Sequence, residues 1–177
     1  HNGSRAVVFY TFQLYRRDRL AYLEGLMEVA IREGWHVGVK LVRGAYMEKE
    51  RERAAARGYP SPIQPDKAST DRDFDAAVDF ALQHLDHVNI VCGTHNEKST
   101  LKLSQDMRSR GLQPGDGRVA FAQLLGMSDN LSFNLAAAGF QTAKYVPYGP
   151  LQEAIPYLIR RAEENTSVGG QTSRELE

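Results

Sequence analysis

Short apolar runs alternate along the chain with longer stretches whose apolar positions recur every three or four residues. Residues 5–11 (Arg-Ala-Val-Val-Phe-Tyr-Thr) are β-branched and aromatic and predict a buried strand. Over 14–33 the apolar positions Leu20, Leu23, Leu26, Met27, Ala30 and Ile31 follow a helical period, and Gly34 supplies the stop. Residues 37–42 predict a second strand, and 48–57, rich in Glu, Lys, Arg and Ala, a charged helix ended by Gly58. Residues 59–65 contain three prolines and predict a loop. Further on, helix 71–85, strand 88–93, helix 97–110 with Gly111, strand 118–122, helix 128–138 with Gly139 and strand 142–146 continue the alternation. A last helix is predicted over 151–165, followed by a polar tail from Thr166.

Strand followed by helix, five times over, predicts a parallel sheet with crossover helices. Gln13, Arg43, His95, Gln123 and Tyr145 stand at or just beyond the strands' C-terminal ends. Those ends converge on one face in a (β/α)8 TIM-like barrel, where barrel enzymes keep their chemistry. An open doubly wound sheet gathers its ligand at a switch point, with a Gly-x-Gly-x-x-Gly turn that no strand here precedes. The barrel is the better reading. It takes eight strands, so the five counted here are expected to be its C-terminal βα units, with the N-terminal strands missing. The whole of 1–177 is then part of a single catalytic barrel domain.

Charge narrows the function. Lys plus Arg number 22 and Asp plus Glu number 22, a formal net charge of zero that argues against nucleic acid as a partner. Cys92 is the sole cysteine, so neither an intrachain disulfide nor a cysteine-rich metal site is available. No apolar run is long enough for a membrane-spanning helix.

Three groups carry candidate chemistry. Lys40 alternates with Leu41 on a predicted buried strand, and faces either the barrel interior or the helical shell. A buried cation needs an anion or an electron-rich partner, whereas a lysine reaching the rim needs neither. Gly44 beyond it would let a ligand approach the backbone closely. Thr94, His95 and Asn96 follow the third strand, with Asn96 as a predicted N-cap, and such a helix start suits a phosphate or other anion. Zinc would need a second ligand at the right spacing, which Glu97 alone does not supply, so no metal is expected. Tyr157, Arg160 and Arg161 share one face of the last helix. Paired guanidiniums suit a carboxylate, or form a solvated patch balanced by Glu163 and Glu164.

Six blocks then make a resemblance. They are Phe-Tyr-Thr-Phe-Gln-Leu-Tyr (9–15), Lys-Leu-Val-Arg-Gly-Ala-Tyr (40–46), Gly-Thr-His-Asn (93–96), Phe-Ala-Gln-Leu-Leu-Gly-Met (121–127), Lys-Tyr-Val-Pro-Tyr-Gly (144–149) and Pro-Tyr-Leu-Ile-Arg-Arg-Ala-Glu-Glu-Asn (156–165). In this order the chain resembles the proline dehydrogenases, and the single-function enzymes of bacteria and mitochondria more than the bifunctional fusions. The resemblance implies FAD as cofactor, oxidation of L-proline to 1-pyrroline-5-carboxylate, hydride transfer to the flavin, and electrons passed on to a membrane quinone. It implies a bacterial cytoplasmic protein, peripheral at the inner membrane, or one on the mitochondrial matrix side in a eukaryote. By the same resemblance Gln13 would touch the flavin ring and Lys40 would stand beside its reactive nitrogen. Val42, Gly44, Ala45 and Tyr46 would line the cofactor, with Lys67 as a phosphate contact. Thr94, His95 and Asn96 would hold the ribityl and phosphate portion, Gln123 and Leu124 would border cofactor and substrate, and Glu164 would meet the far end of FAD. Arg160 and Arg161 would clamp the proline carboxylate, while Tyr145 and Tyr157 would wall its ring. In members that prefer hydroxyproline the position of Tyr145 is a serine, which makes this tyrosine a steric selector. A lysine and an aspartate that the family supplies from earlier strands do not precede His1. The alternative is a non-catalytic barrel remnant or partner-binding fragment, against which the retention of Gln13, Lys40, His95, Arg160 and Arg161 counts.

Overall fold

A computed structural model describes residue 3, residues 5–152 and residues 154–159. Its chain divides into two compact units, 1–145 and 146–177. In the first, β1 (Phe9–Gln13), β2 (Val37–Val42), β3 (Val88–Gly93), β4 (Val119–Leu124) and β5 (Thr142–Tyr145) form one sheet in the order β1-β2-β3-β4-β5. Every neighbouring pair is parallel. Each strand lies beside its predecessor, so the sheet never reverses direction and has no switch point. That singly wound order belongs to a TIM-like barrel, and these are five consecutive βα units of one.

The crossovers are α1 (Arg19–Glu33), α2 (Met47–Arg57) with α3 (Lys67–Gln83), α4 (Glu97–Ser109) and α5 (Asp129–Ala137). Alternation along the strands decides which side chains meet them. Phe12, Val39, Leu41, Ile90, Cys92, Val119 and Phe121 are buried in one cluster with Leu23 and Met27 of α1, Phe74 and Val78 of α3, and Leu103 and Met107 of α4. The core therefore lies between sheet and helices. The residues of opposite parity occupy the other face, which in a barrel is the interior.

Three elements start four or five residues away from expectation. β1 begins at Phe9, four residues later than the apolar run, because its ladder starts where Phe9 pairs with Gly38; Val7 and Val8 stay exposed. α1 begins at Arg19, because the amides of Leu14 and Tyr15 bond to the carbonyls of Val42 and Arg43 and hold that segment along the exit of β2. α3 begins at Lys67 because Asp66 caps it, accepting from the Ser69 amide at 2.7 Å. In the second unit residues 151, 152 and 154–159 are helical, and the remainder of the predicted last helix lies outside the described residues.

Candidate active site

Lys40 resolves onto the interior face. Its register partners are Thr11 on β1 and Val91 on β3, and its flanking residues Val39 and Leu41 are the ones packed on the helices. Gly38, Gly93, Ala120, Ala122 and Ala143 share that face, so much of its floor is backbone and methyl groups. A Cβ on Gly93 would stand 3.0 Å from Val42 Cγ1 and 3.4 Å from Lys40 Cε. The lysine stem thus lies across a glycine. Its ammonium ends 5.3 Å from the centroid of the Tyr145 ring, close enough for a cation–π contact. Gln13, half-buried at the tip of β1, pairs with Val42 and shares the face. Leu124 pairs with Tyr145 at the far edge.

At the tip of β3 the predicted cap is present: Asn96 Oδ1 accepts from the Ser99 amide at 3.0 Å. Thr94 Oγ1 accepts from the Asn96 amide at 3.0 Å, so the turn is held from both sides. His95 is half-buried, with Nδ1 2.9 Å from the Ser128 hydroxyl. Burial, and then the nearby Lys144 charge, push its pKa below the ordinary imidazole value and leave the ring neutral at pH 7. Ser128 has φ +50°, the one non-glycine residue in the left-handed region among those described. Such a conformation costs about 1–2 kcal/mol and persists where surrounding bonds demand it. Here the Ser128 carbonyl receives the Ser132 amide, while the Lys144 ammonium binds the Met127 carbonyl at 2.9 Å and Asp129 at 2.5 Å.

Two of the expected cofactor residues have close neighbours within the chain. Gln123 was expected to border cofactor and substrate, yet its side chain is buried on the helical side. There it donates to the Thr94 carbonyl at 3.2 Å and accepts from the Ser132 hydroxyl at 2.9 Å. It braces the turn that carries His95. Gly44 was expected to admit a ligand, but the space beside it holds the ring of Tyr15: a Cβ there would stand 1.4 Å from Tyr15 Cδ1. The Tyr15 hydroxyl donates to Glu50, and burial followed by that carboxylate raises the phenol pKa well above its usual value.

Lys67, the expected phosphate contact, opens α3 and binds Asp71 at 2.5 Å while remaining largely exposed. Ala45 lies in the β2–α2 turn and Tyr46 precedes α2, where it lines an open cavity of about 650 Å³ with Arg16, Glu50 and Pro62. Tyr157 belongs to the second unit. Arg160, Arg161 and Glu164 lie outside the described residues. Among the described residues no cluster of His, Cys, Asp and Glu could hold a metal ion.

Sequence reasoning passed over Arg43 and Ser128. Arg43 was visible only as a polar residue at a strand tip. Ser128 carried no signal, since a left-handed serine is set by its tertiary bonds.

The profile of the family described as Proline dehydrogenase matches residues 1–174. The chain belongs to the proline dehydrogenase family. It is 44% identical over 177 residues to human mitochondrial proline dehydrogenase 1, covering 98% of this chain and 30% of that protein. A bovine hydroxyproline dehydrogenase is 43% identical, covering 96% of this chain and 38% of the relative. Among solved structures, proline utilization A of Bdellovibrio bacteriovorus inactivated by N-propargylglycine superimposes with a TM-score of 0.86 at 26% identity. That match covers 95% of this chain and 17% of the other. The chain therefore spans about a third of the length of these curated relatives. Among the described residues no helix is long and apolar enough to cross a membrane.

Proposed function

We propose that this chain bears the flavin- and substrate-facing part of an FAD-dependent L-proline dehydrogenase that yields 1-pyrroline-5-carboxylate and delivers electrons to a membrane quinone through peripheral association. The observation that carries the reading is the shared interior face: the Lys40 stem lies across Gly93 with its ammonium against Tyr145, beside a floor of glycine and alanine. A flat ring system fits such a floor, and a fixed cation beside it suits charge that develops on a reduced flavin. The capped turn of Thr94, His95 and Asn96 stands at the same ends of the strands and suits the ribityl and phosphate portion. FAD, when bound, supplies the hydride acceptor.

The chain's own residues do the rest. Lys40 holds a positive charge at a set place. His95, kept neutral, offers hydrogen bonding without adding a second charge. Tyr145 packs against the apolar edge of proline, while Arg160 and Arg161 orient the carboxylate, so that much of the rate gain is orientation. The absorption spectrum of the full protein tests the reading. Flavin bands that bleach when L-proline is added under anaerobic conditions are expected; a colourless protein, or one whose flavin ignores proline, would return the chain to a non-catalytic role.

Tyr145 gives a sharper expectation, since hydroxyproline dehydrogenases stand among the relatives. Its bulk leaves little room for a ring hydroxyl, so L-proline should be preferred to trans-4-hydroxy-L-proline. Tyr145→Ser should narrow that preference and also slow proline oxidation, because it removes the ring that holds Lys40, a contact of about 0.5–1 kcal/mol. Tyr145→Phe keeps the ring and should retain both properties. Specificity constants for the two substrates in all three proteins decide: an unchanged ratio with a lowered melting temperature would make Tyr145 a packing residue.

A further inference from the structure

Arg43 sits between the predicted cofactor residues Val42 and Gly44, yet its side chain turns away from the interior face. Nε donates to Asp71 Oδ1 of α3 at 2.6 Å, Nη1 to Thr94 Oγ1 at 2.9 Å, and Nη2 to Ser99 Oγ of α4 at 2.9 Å. The guanidinium carbon lies 4.3 Å above the centroid of the Phe74 ring. One planar group therefore joins three places in the fold and stacks on a fourth.

Two of those bonds bracket the segment from Thr94 to Ser99, which contains His95 and Asn96. Thr94 Oγ1, held by Arg43, is the same atom that accepts the Asn96 amide. Ser99, whose hydroxyl Arg43 holds, gives its amide to Asn96 Oδ1 and its hydroxyl proton to Asp75 at 2.8 Å. The position of Asn96 is thus set at both ends by groups that Arg43 grips. Asp71 has a second cation in Lys67, and burial alone would raise its carboxyl pKa; the hydrogen bonds from Lys67 and Arg43 outweigh that and leave it below the usual range. Loss of Arg43 therefore does not strand Asp71. Thr94 and Ser99 have no such reserve of charge. A lysine could reach one of the three acceptors, but only a guanidinium fork reaches all of them while lying flat on Phe74.

We propose that Arg43 is a positioning residue that fixes the Thr94-His95-Asn96 turn, and through the turn sets affinity for the ribityl and phosphate portion of FAD without touching it. The affinity half of this rests on the flavin reading above; the positioning half does not.

Arg43→Lys and Arg43→Met in the full protein separate the two. Kd for FAD is compared with Kd for lumiflavin, which has the ring but neither ribityl chain nor phosphate, and amide hydrogen exchange is followed in the flavin-free protein. Both variants should weaken FAD by about tenfold or more, the scale of one lost charge-assisted bond, with lumiflavin within about twofold of the parent. Exchange should quicken over 94–99 and not over the amides of β3. Unchanged exchange over 94–99 in both variants overturns the positioning role. Quickened exchange with FAD and lumiflavin weakened alike overturns the ribityl and phosphate role and leaves Arg43 a brace. A parent protein that binds neither flavin sinks the flavin reading, and the exchange result then decides positioning by itself.

Discussion

Gly44→Ala should cost at least about 4 kcal/mol of folding stability, in the range reserved for single substitutions with a specific steric cause. Two causes act together. The glycine has φ +125°, which a residue with a Cβ rarely adopts, and strain of this type costs about 1–3 kcal/mol. The new methyl would also stand 1.4 and 1.7 Å from two carbons of the Tyr15 ring. That ring has nowhere to retreat: Tyr15 is 2% exposed, its amide bonds the Arg43 carbonyl at 2.7 Å, its carbonyl receives the Gln64 amide at 2.7 Å, and its hydroxyl is held by Glu50. Against a total stability of about 5–15 kcal/mol the loss is large. Denaturant midpoints followed by circular dichroism measure it. In a Tyr15→Ala background the same substitution should cost only the backbone strain. A loss below about 1 kcal/mol in the parent protein would mean that the ring moves aside freely.

Arg160→Met or Arg161→Met in the full protein should raise the apparent KM for proline strongly while FAD stays bound. Each charge-assisted bond to a carboxylate is worth about 1.5–3 kcal/mol, which converts to about ten- to a hundred-fold in affinity. The cofactor should remain because Lys40 and the Thr94-His95-Asn96 turn, the groups proposed above to face it, are untouched by either substitution. Substrates test the same point from the other side: pyrrolidine, which has no carboxylate, should be oxidised poorly by the parent and no worse by the variants. Unchanged proline kinetics in both variants would make the pair a solvated patch. Loss of flavin would mean that they serve the cofactor.

Much of the fold was legible because the chain's signals are local and agree with one another. Gly34 and Gly58 do end helices in the left-handed conformation, and burial alternates along β3 and along the last four residues of β2. The strand order was legible because five βα repeats admit few topologies. What stayed hidden depends on partners distant in sequence. The true start of β1 is set by Gly38, far along the chain from it. The choice of face for Lys40 is settled by which neighbours pack on helices, and the strand alone was compatible with both. The pattern of small residues at Gly38, Gly93, Ala120, Ala122 and Ala143 was present in the sequence, yet only strand register shows that they share one face. Gln123 was read as bordering a ligand from the resemblance, and Gly44 as admitting one because it lacks a side chain. Their neighbours Ser132 and Tyr15, distant in sequence, are found only by folding.

Cys92 belongs to the shell between sheet and helices, fully buried, with burial pushing its thiol pKa up to about 12. A thiolate is the reactive form, so Cys92 in the folded chain should resist thiol reagents at neutral pH. As the sole cysteine in the sequence it cannot exchange disulfides within the chain. It therefore acts as a built-in clock: at reagent concentrations high enough to outpace reclosing, the rate of Cys92 labelling counts how often the helices lift from β3, one event per labelled molecule. Reagent size would grade those openings, since a small alkylator enters through a breach that excludes a large one.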